Sequence, residues 1–207
     1  DPERNREYFS KTYSQVYLEA QEFGSGLMNM NIIPELREYK DFNLRFLGIF
    51  SKNREEWWIA DIACALYGFT TVPLYDTLGA DSIEFVLRQT NLTALLCSIE
   101  ALESLEKCYK GGAALNTIIC LQSVKDDYFL QRLRNIGITV YTWQSVKEKG
   151  RKALRPCEPV KPESIYTFSY TSGTTGNPKG AMLSHLNIIS AMTSMKYTDL
   201  QLLPTDV

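Results

Sequence analysis

Short apolar segments and amphipathic helical segments alternate along this sequence, and no other feature constrains its fold as strongly. Apolar runs of strand length lie at residues 46–50, 71–74, 94–97, 117–121 and 138–142. Helical spacing of apolar residues is found at residues 12–30, 54–67, 81–90, 100–109 and 126–135. Because strands that alternate with helices form a parallel sheet covered on both faces, we predict an α/β fold with a parallel-rich sheet layered with helices.

Local signals predict where the first two helices begin and end. Thr12, followed three residues later by Gln15, resembles a capping box. Asn53 is placed to cap the second helix, which puts Glu56 at its third position, and Gly68 follows its last turn. A turn is expected at residues 76–79.

Composition excludes several classes of protein. The chain has 207 residues, of which 44% are hydrophobic and 22% charged, with a formal net charge of -2. Such a balance gives no electrostatic footprint for nucleic acid. The apolar run at residues 59–69 is too short for a membrane span and contains Asp61. The first residues are polar and unlike a secretory signal, and because the chain begins at Asp1, an upstream anchor is left open.

The positions of the five cysteines indicate buried packing residues rather than a reactive or metal-binding site. No C-x-x-C pair is present, so a zinc or redox site has no support. Three of the cysteines lie in apolar segments, and we expect them to be buried thiols in a reducing compartment. The cysteines are Cys64, Cys97, Cys108, Cys120 and Cys157.

A proline-containing polar stretch at residues 155–164 breaks the alternation. It can be an extended crossing between two lobes, or an ordinary surface loop. On the first interpretation, residues 1–154 form a first α/β lobe and residues 165–207 begin a second one. A strand at residues 165–170 opens that second part.

The decapeptide at residues 171–180, TSGTTGNPKG, has the composition that a triphosphate needs. Glycines let the backbone N–H groups approach phosphate oxygens closely, hydroxyls donate hydrogen bonds, and one lysine adds a positive charge. No carboxylate is present to repel phosphate. The spacing differs from a Walker loop, because Lys179 is followed by Gly180. The alternative is a flexible hairpin that binds no ligand.

Residues 170–180 closely resemble the phosphate loop of the adenylate-forming superfamily, which includes acyl-CoA synthetases, luciferases and peptide-synthetase adenylation domains. A second stretch, SKNREEW at residues 51–57 and TVPLYDTLG at residues 71–79, resembles the long-chain acyl-CoA synthetases. The resemblance extends from residue 12 to residue 207. It implies part of the N-terminal AMP-binding domain of the adenylate-forming fold.

This resemblance implies fatty acid, ATP and CoA as substrates and Mg²⁺ as the metal, with an acyl-adenylate intermediate. The ATP phosphates would be bound by residues that match the family loop, namely Thr171, Ser172, Gly173, Thr174, Thr175, Gly176 and Lys179. We expect no catalytic residue and no metal ligand in this sequence, because the family's adenine, ribose and Mg²⁺ motifs and its C-terminal lysine come later. The sequence is therefore interpreted as an incomplete piece of a larger enzyme.

Three functional hypotheses follow from the resemblance. The first is a long-chain fatty acid–CoA ligase at the cytosolic face of an intracellular membrane such as the endoplasmic reticulum, with membrane contacts made by segments outside this sequence. The second is another adenylating enzyme, such as a peptide-synthetase module or a luciferase-like protein. The third is a catalytically inert truncated fragment.

A few further residues have two interpretations each. His185 can sense a substrate near the loop, or simply begin a helix that Ser184 caps, and we favour the second. Trp57 and Trp58 can face lipid, but on so apolar a helix we expect core packing. The basic cluster at residues 147–155 can contact anionic lipid, but a solvated loop is the more common explanation.

Overall fold

The structure is a computed structural model that describes residues 10–38, 42–75, 78–109, 111, 113–171, 177–195 and 197. The strands are β1 (Leu36–Glu38), β2 (Phe42–Leu44), β3 (Phe46–Phe50), β4 (Thr70–Leu74), β5 (Ala94–Cys97), β6 (Thr117–Cys120), β7 (Thr139–Thr142), β8 (Ile165–Thr171) and β9 (Lys179–Ser184). The helices are α1 (Tyr13–Met30), α2 (Glu55–Tyr67), α3 (Ala80–Thr90), α4 (Ile99–Cys108), α5 (Asp127–Asn135), α6 (Trp143–Lys152) and α7 (His185–Met195).

Seven of the described strands form one sheet in the order β7-β6-β5-β3-β4-β8-β9. All neighbouring pairs are parallel except β8 and β9, which are antiparallel. The predicted α/β fold with a parallel-rich sheet is therefore confirmed. Strands β1 and β2 form a separate antiparallel hairpin that the sequence analysis missed, because three-residue strands are too short to show a period.

Helices cover both faces of the sheet. One buried cluster joins the sheet to α3, α4 and α5, and a second joins it to α1, α2 and α6. The central strands β3, β4, β5 and β6 are buried along their whole length. Burial on both faces explains why these strands show continuous apolar runs in the sequence.

Helix ends follow the predicted signals in two cases and differ in a third. Thr12 and Gln15 form a complete capping box, and Gly68 ends α2 in the left-handed conformation. The prediction that Asn53 caps α2 is wrong, because Arg54 occupies the cap position with no side-chain capping bond. The Arg54 guanidinium instead donates two hydrogen bonds to Glu56, at 2.7 and 2.8 Å.

The basic cluster at residues 147–155 is not a solvated loop, and that prediction is wrong. Its first six residues belong to α6, which a capping box of Thr142 and Ser145 begins. Lys147 is buried and donates to Glu19 of α1 at 2.5 Å. Two hydrogen bonds of 2.8 and 2.9 Å join Arg151 to Glu22. These charges are paired in a helix–helix contact, which sequence spacing alone did not reveal.

The cysteines in apolar segments behave as expected. Cys64, Cys97 and Cys120 are buried, and burial raises the pKa of each thiol above its usual value. Burial therefore keeps these thiols protonated and unreactive.

The described sheet continues on both sides of residues 155–164. Residue Glu158 of this stretch accepts a 2.9 Å hydrogen bond from Arg45, and β8 then pairs with β4. The division into a first lobe at residues 1–154, a crossing and a second lobe from residue 165 stays a prediction. Residues 76 and 77 of the expected turn lie outside the described residues.

Candidate active site: the phosphate-loop hairpin

The candidate loop connects the antiparallel strands β8 and β9. Thr171 ends β8, Lys179 begins β9, and the two residues are register partners across the hairpin. Five residues of the predicted phosphate site lie outside the described residues, namely Ser172, Gly173, Thr174, Thr175 and Gly176. The structure thus describes the neck of the loop, with both Thr171 and Lys179 exposed.

The loop follows the carboxyl end of β8, which is parallel to β4. Strands β3, β4, β5 and β6 are parallel to each other, so all of their carboxyl ends lie at this same edge. The chain passes from β3 to β4 on one side and then to β5 on the other side of β3. Open α/β sheets bind ligands at the carboxyl edge near such a reversal.

Threonine hydroxyls hold β8 against β4. Thr70 Oγ1 donates to the Ile165 carbonyl oxygen at 2.8 Å. Thr71 Oγ1 donates to Thr167 Oγ1 at 2.9 Å, and Thr167 Oγ1 lies 3.2 Å from the Thr71 carbonyl oxygen. These bonds fix the start of β8 although its backbone register with β4 is short.

The buried carboxylate of Asp61, on helix α2, also holds β8 in place. The Tyr166 hydroxyl donates to Asp61 Oδ2, and Thr71 Oγ1 lies 3.5 Å from Asp61 Oδ1. Burial raises the pKa of Asp61, although the neighbouring hydroxyl groups of Tyr166 and Thr71 act in the opposite direction. Burial and the Asp61 charge both raise the pKa of Tyr166, so its hydroxyl keeps the proton that it donates. The register of β8 with β9 is irregular between Ile165 and Thr167, where Tyr166 lies.

Tyr170 lies directly before the loop and is buried. It is the register partner of Gly180, and a Cβ added at Gly180 would lie 3.0 Å from Tyr170 Cζ. The Tyr170 hydroxyl donates to Gln89 Oε1 at 2.8 Å. Sequence analysis missed both Gln89 and the close approach of the Tyr170 ring to Gly180. No local pattern could have found the hydrogen bond between Tyr170 and Gln89, because these residues lie 81 positions apart in the sequence.

His185 begins α7, as predicted, and Ser184 caps this helix. Asn187 N–H donates to Ser184 Oγ at 3.2 Å, and the Ser184 N–H donates to Asn187 Oδ1 at 2.9 Å. The His185 ring packs edge-on against Tyr166, with 5.2 Å between ring centroids. Burial lowers the pKa of His185. The His185 side chain is thus partly buried at the start of α7, beside Tyr166.

The two tryptophans of α2 differ in environment. Trp57 packs against the cluster under α1 and α2, as expected. Trp58 is 64% exposed, so the expectation of core packing is wrong for this residue. Both line a cavity of about 750 Å³ between α2, β8, β9 and α7, together with Tyr166, Leu183 and Met192.

Among the described residues, no cluster of three or more His, Cys, Asp or Glu side chains is found. Within the same part of the chain, no helix is both long and apolar enough to cross a membrane.

Comparison of the sequence with protein families gives a match over nearly the whole chain. The model of the family described as AMP-binding enzyme matches residues 3–207. Peroxisomal long chain acyl-CoA synthetase 7 of Arabidopsis thaliana is 36% identical over 201 residues, which cover 97% of this chain. Long-chain-fatty-acid–CoA ligase 5 of Rattus norvegicus is 35% identical over 195 residues, or 92% of this chain. The chain spans 27% of the length of each of these relatives.

Comparison with solved structures supports the same fold. The adenylation domain of a carboxylate reductase from Mycobacterium chelonae superposes with a TM-score of 0.76 and 18% sequence identity. The superposition covers 96% of this chain and 31% of the other. At this identity the likeness concerns the fold.

Proposed function

The chain belongs to the AMP-binding enzyme family, and from this premise we propose that it supplies the ATP-phosphate loop of a long-chain fatty acid–CoA ligase. The observation that carries the proposal is the position of the loop. Its neck, Thr171 paired with Lys179, stands at the carboxyl end of β8. The relatives at 36% and 35% identity are named as enzymes of this class.

The proposed reaction has two steps. A fatty acid carboxylate oxygen attacks the α-phosphorus of ATP, the bond from that phosphorus to the β-phosphate oxygen breaks, and pyrophosphate leaves. The thiolate of CoA then attacks the acyl carbonyl carbon and displaces AMP. A Mg²⁺ ion, when bound, offsets phosphate charge during the first step.

The loop residues would act on the departing pyrophosphate. Backbone N–H groups at Gly173 and Gly176, with the Ser172, Thr174 and Thr175 hydroxyls, would donate hydrogen bonds to the β- and γ-phosphates. Lys179 carries the positive charge of the loop and is exposed at its neck. It would stabilise charge that moves onto pyrophosphate as the bond breaks.

The test is ATP–pyrophosphate exchange that depends on oleate, measured on the full-length polypeptide that carries this sequence. Removing a donor aimed at transition-state charge costs about 10²–10³ in rate, so we expect Lys179→Ala to lower exchange by that factor. Gly176→Val should be as harmful, because a branched side chain blocks the approach of backbone to phosphate. Asn177→Ala is the matched control and should have a modest effect. Wild-type exchange by both Lys179→Ala and Gly176→Val would exclude this loop as the phosphate site.

The carboxylic acid used in the exchange assay distinguishes a fatty acid–CoA ligase from another adenylating enzyme. The solved structure from Mycobacterium chelonae is the adenylation domain of a reductase, and its fold matches this chain as well. Exchange driven by an amino acid or an aromatic acid in place of oleate would favour another adenylating enzyme.

We propose that the full-length protein acts at the cytosolic face of an intracellular membrane such as the endoplasmic reticulum, because long-chain acids partition into bilayers. Segments outside this sequence would make the membrane contacts. Fractionation of cells that contain the tagged protein tests this, and recovery outside all membrane fractions would contradict it.

A further inference from the structure

We propose that Gln89, on helix α3, is a positioning residue for the ATP-phosphate loop and that it acts through the Tyr170 hydroxyl. The inference rests on the proposed function and deepens it, because it names a residue outside the loop that sets the loop's geometry. Three observations carry it: the place of Tyr170 directly before the neck, the contact of its ring with Gly180, and its hydrogen bond to Gln89.

Tyr170 and Gly180 form the pair of the hairpin next to the neck. Thr171 and Lys179 are the following pair, and the loop begins directly beyond them. Because Thr171 and Lys179 are covalent neighbours of Tyr170 and Gly180, a shift of this pair moves both ends of the loop.

The Tyr170 ring is confined on the Gly180 side. A Cβ built at Gly180 would lie 3.0, 3.2 and 3.3 Å from three ring carbons, closer than most Cβ contacts in proteins. Glycine therefore lets the backbone of β9 lie against the ring. Phe168, two residues earlier, packs edge-on against Phe46 with centroids 5.0 Å apart and fixes the same face of β8.

Gln89 holds the outer end of the ring. Its Oε1 accepts the Tyr170 hydroxyl proton at 2.8 Å, and the side chain of Gln89 is itself exposed. Because the Gln89 side chain is exposed, its position is not explained by packing in the hydrophobic core. Its helix is anchored to the sheet by Ile83, Val86 and Leu87, which are buried in the core cluster. Arg88, next to Gln89, also donates to the Gly111 carbonyl oxygen at 2.6 Å. Gln89 thus presents an acceptor from a fixed helix to a ring that borders the loop.

Loss of this bond should affect ATP more than fatty acid. Small misplacements of groups that hold reacting atoms cost large factors in rate. One neutral hydrogen bond corresponds to about a two- to tenfold change in an equilibrium. We expect Gln89→Leu to raise KM for ATP about three- to tenfold and to leave KM for fatty acid unchanged.

The experiment is oleate-dependent ATP–pyrophosphate exchange on the full-length protein, with ATP and oleate titrated separately. Gln89→Leu and Tyr170→Phe each remove one partner of the hydrogen bond between Gln89 and Tyr170. The double variant should therefore raise KM for ATP no more than either single variant does. Gln89→Glu keeps an acceptor oxygen and should behave as wild type at about 0.3 M salt, which screens its charge. Gln144→Leu, at another exposed glutamine, is the matched control and should change nothing.

Two outcomes would overturn the inference. One is an unchanged KM for ATP in Gln89→Leu, and the other is an equal rise in both KM values. If Lys179→Ala abolishes exchange while Gln89→Leu matches wild type, the proposed function stands and this inference fails. If Tyr170→Phe does not fold, the Gln89 variants still test the inference. Gln89 lies at the surface, so we expect its variants to fold.

Discussion

The Tyr166 hydroxyl donates a hydrogen bond to the buried carboxylate of Asp61, which lies 105 residues earlier in the chain. This bond ties the strand that leads into the loop to helix α2. The described partners of the carboxylate are the hydroxyls of Tyr166 and Thr71, which are neutral. A buried carboxylate with neutral donors is costly to ionise, and this cost makes stability depend on pH.

Asp61→Asn should reveal that dependence. Folding raises the pKa of Asp61 above its usual 3.8, because burial disfavours the charged form. A group with a raised pKa stabilises the fold fully below its unfolded pKa, and this stabilisation is lost as pH rises through the folded pKa. The free energy of unfolding of Asp61→Asn should therefore improve relative to wild type as pH rises from about 4 to 7.

Urea unfolding followed by circular dichroism at several pH values measures this difference. Glu103→Gln, at an exposed carboxylate of α4, serves as the control and should keep a constant offset from wild type. A constant offset for Asp61→Asn as well would contradict the predicted role of burial.

Gly150→Ala should destabilise the fold, although alanine normally favours a helix over glycine. A Cβ at Gly150 would lie 1.7 Å from the Glu22 carbonyl oxygen of α1. Helices α1 and α6 would have to separate, and overpacking of this kind costs about 1–3 kcal/mol. Urea unfolding of the variant measures the loss, with the exposed Glu148→Ala of the same helix as control. A variant as stable as wild type would mean that α1 and α6 do not pack so closely.

The 207-residue chain alone should not form acyl-CoA. It spans 27% of the length of the relatives from Arabidopsis thaliana and Rattus norvegicus described above, so most residues of those enzymes have no counterpart in it. Incubation with oleate, ATP, Mg²⁺ and CoA, followed by detection of the thioester, tests this expectation. Turnover by the isolated chain would show that the essential groups all lie within it.

The same chain should associate with itself through α7. None of the described residues of this helix is buried, and Ile189 and Met192 are 58% and 64% exposed. Exposed apolar surface of this kind promotes aggregation. Light scattering after size exclusion should show large species for wild type and smaller ones for the double variant Ile189→Glu, Met192→Glu. Monodisperse wild-type protein would contradict the prediction.

Local sequence patterns predicted most of the sheet and helices. The strands at residues 46–50 and 94–97 were placed at their observed bounds, and Thr12 and Gly68 mark helix ends as expected. Buried strands and helices each impose a short period on their own residues, so these elements can be recognised from neighbours in the sequence. The assignment of residues 171–180 as a phosphate loop also rests on a local pattern, a dense set of glycines and hydroxyls, and it stays a prediction.

Contacts between distant residues were decided by the tertiary structure alone. Residues 147–155 were predicted to be a solvated loop, but Lys147 is buried against Glu19, and Gly150 lies against Glu22. The bonds of Asp61 with Tyr166 and of Gln89 with Tyr170 join residues 105 and 81 positions apart. Sequence periodicity reports which face of an element is apolar, whereas the partner of a polar side chain depends on how the whole chain packs. The sequence therefore predicts the loop, which stays a prediction, whereas the contacts of Tyr166 and Tyr170 on the strand before it are seen only in the tertiary structure.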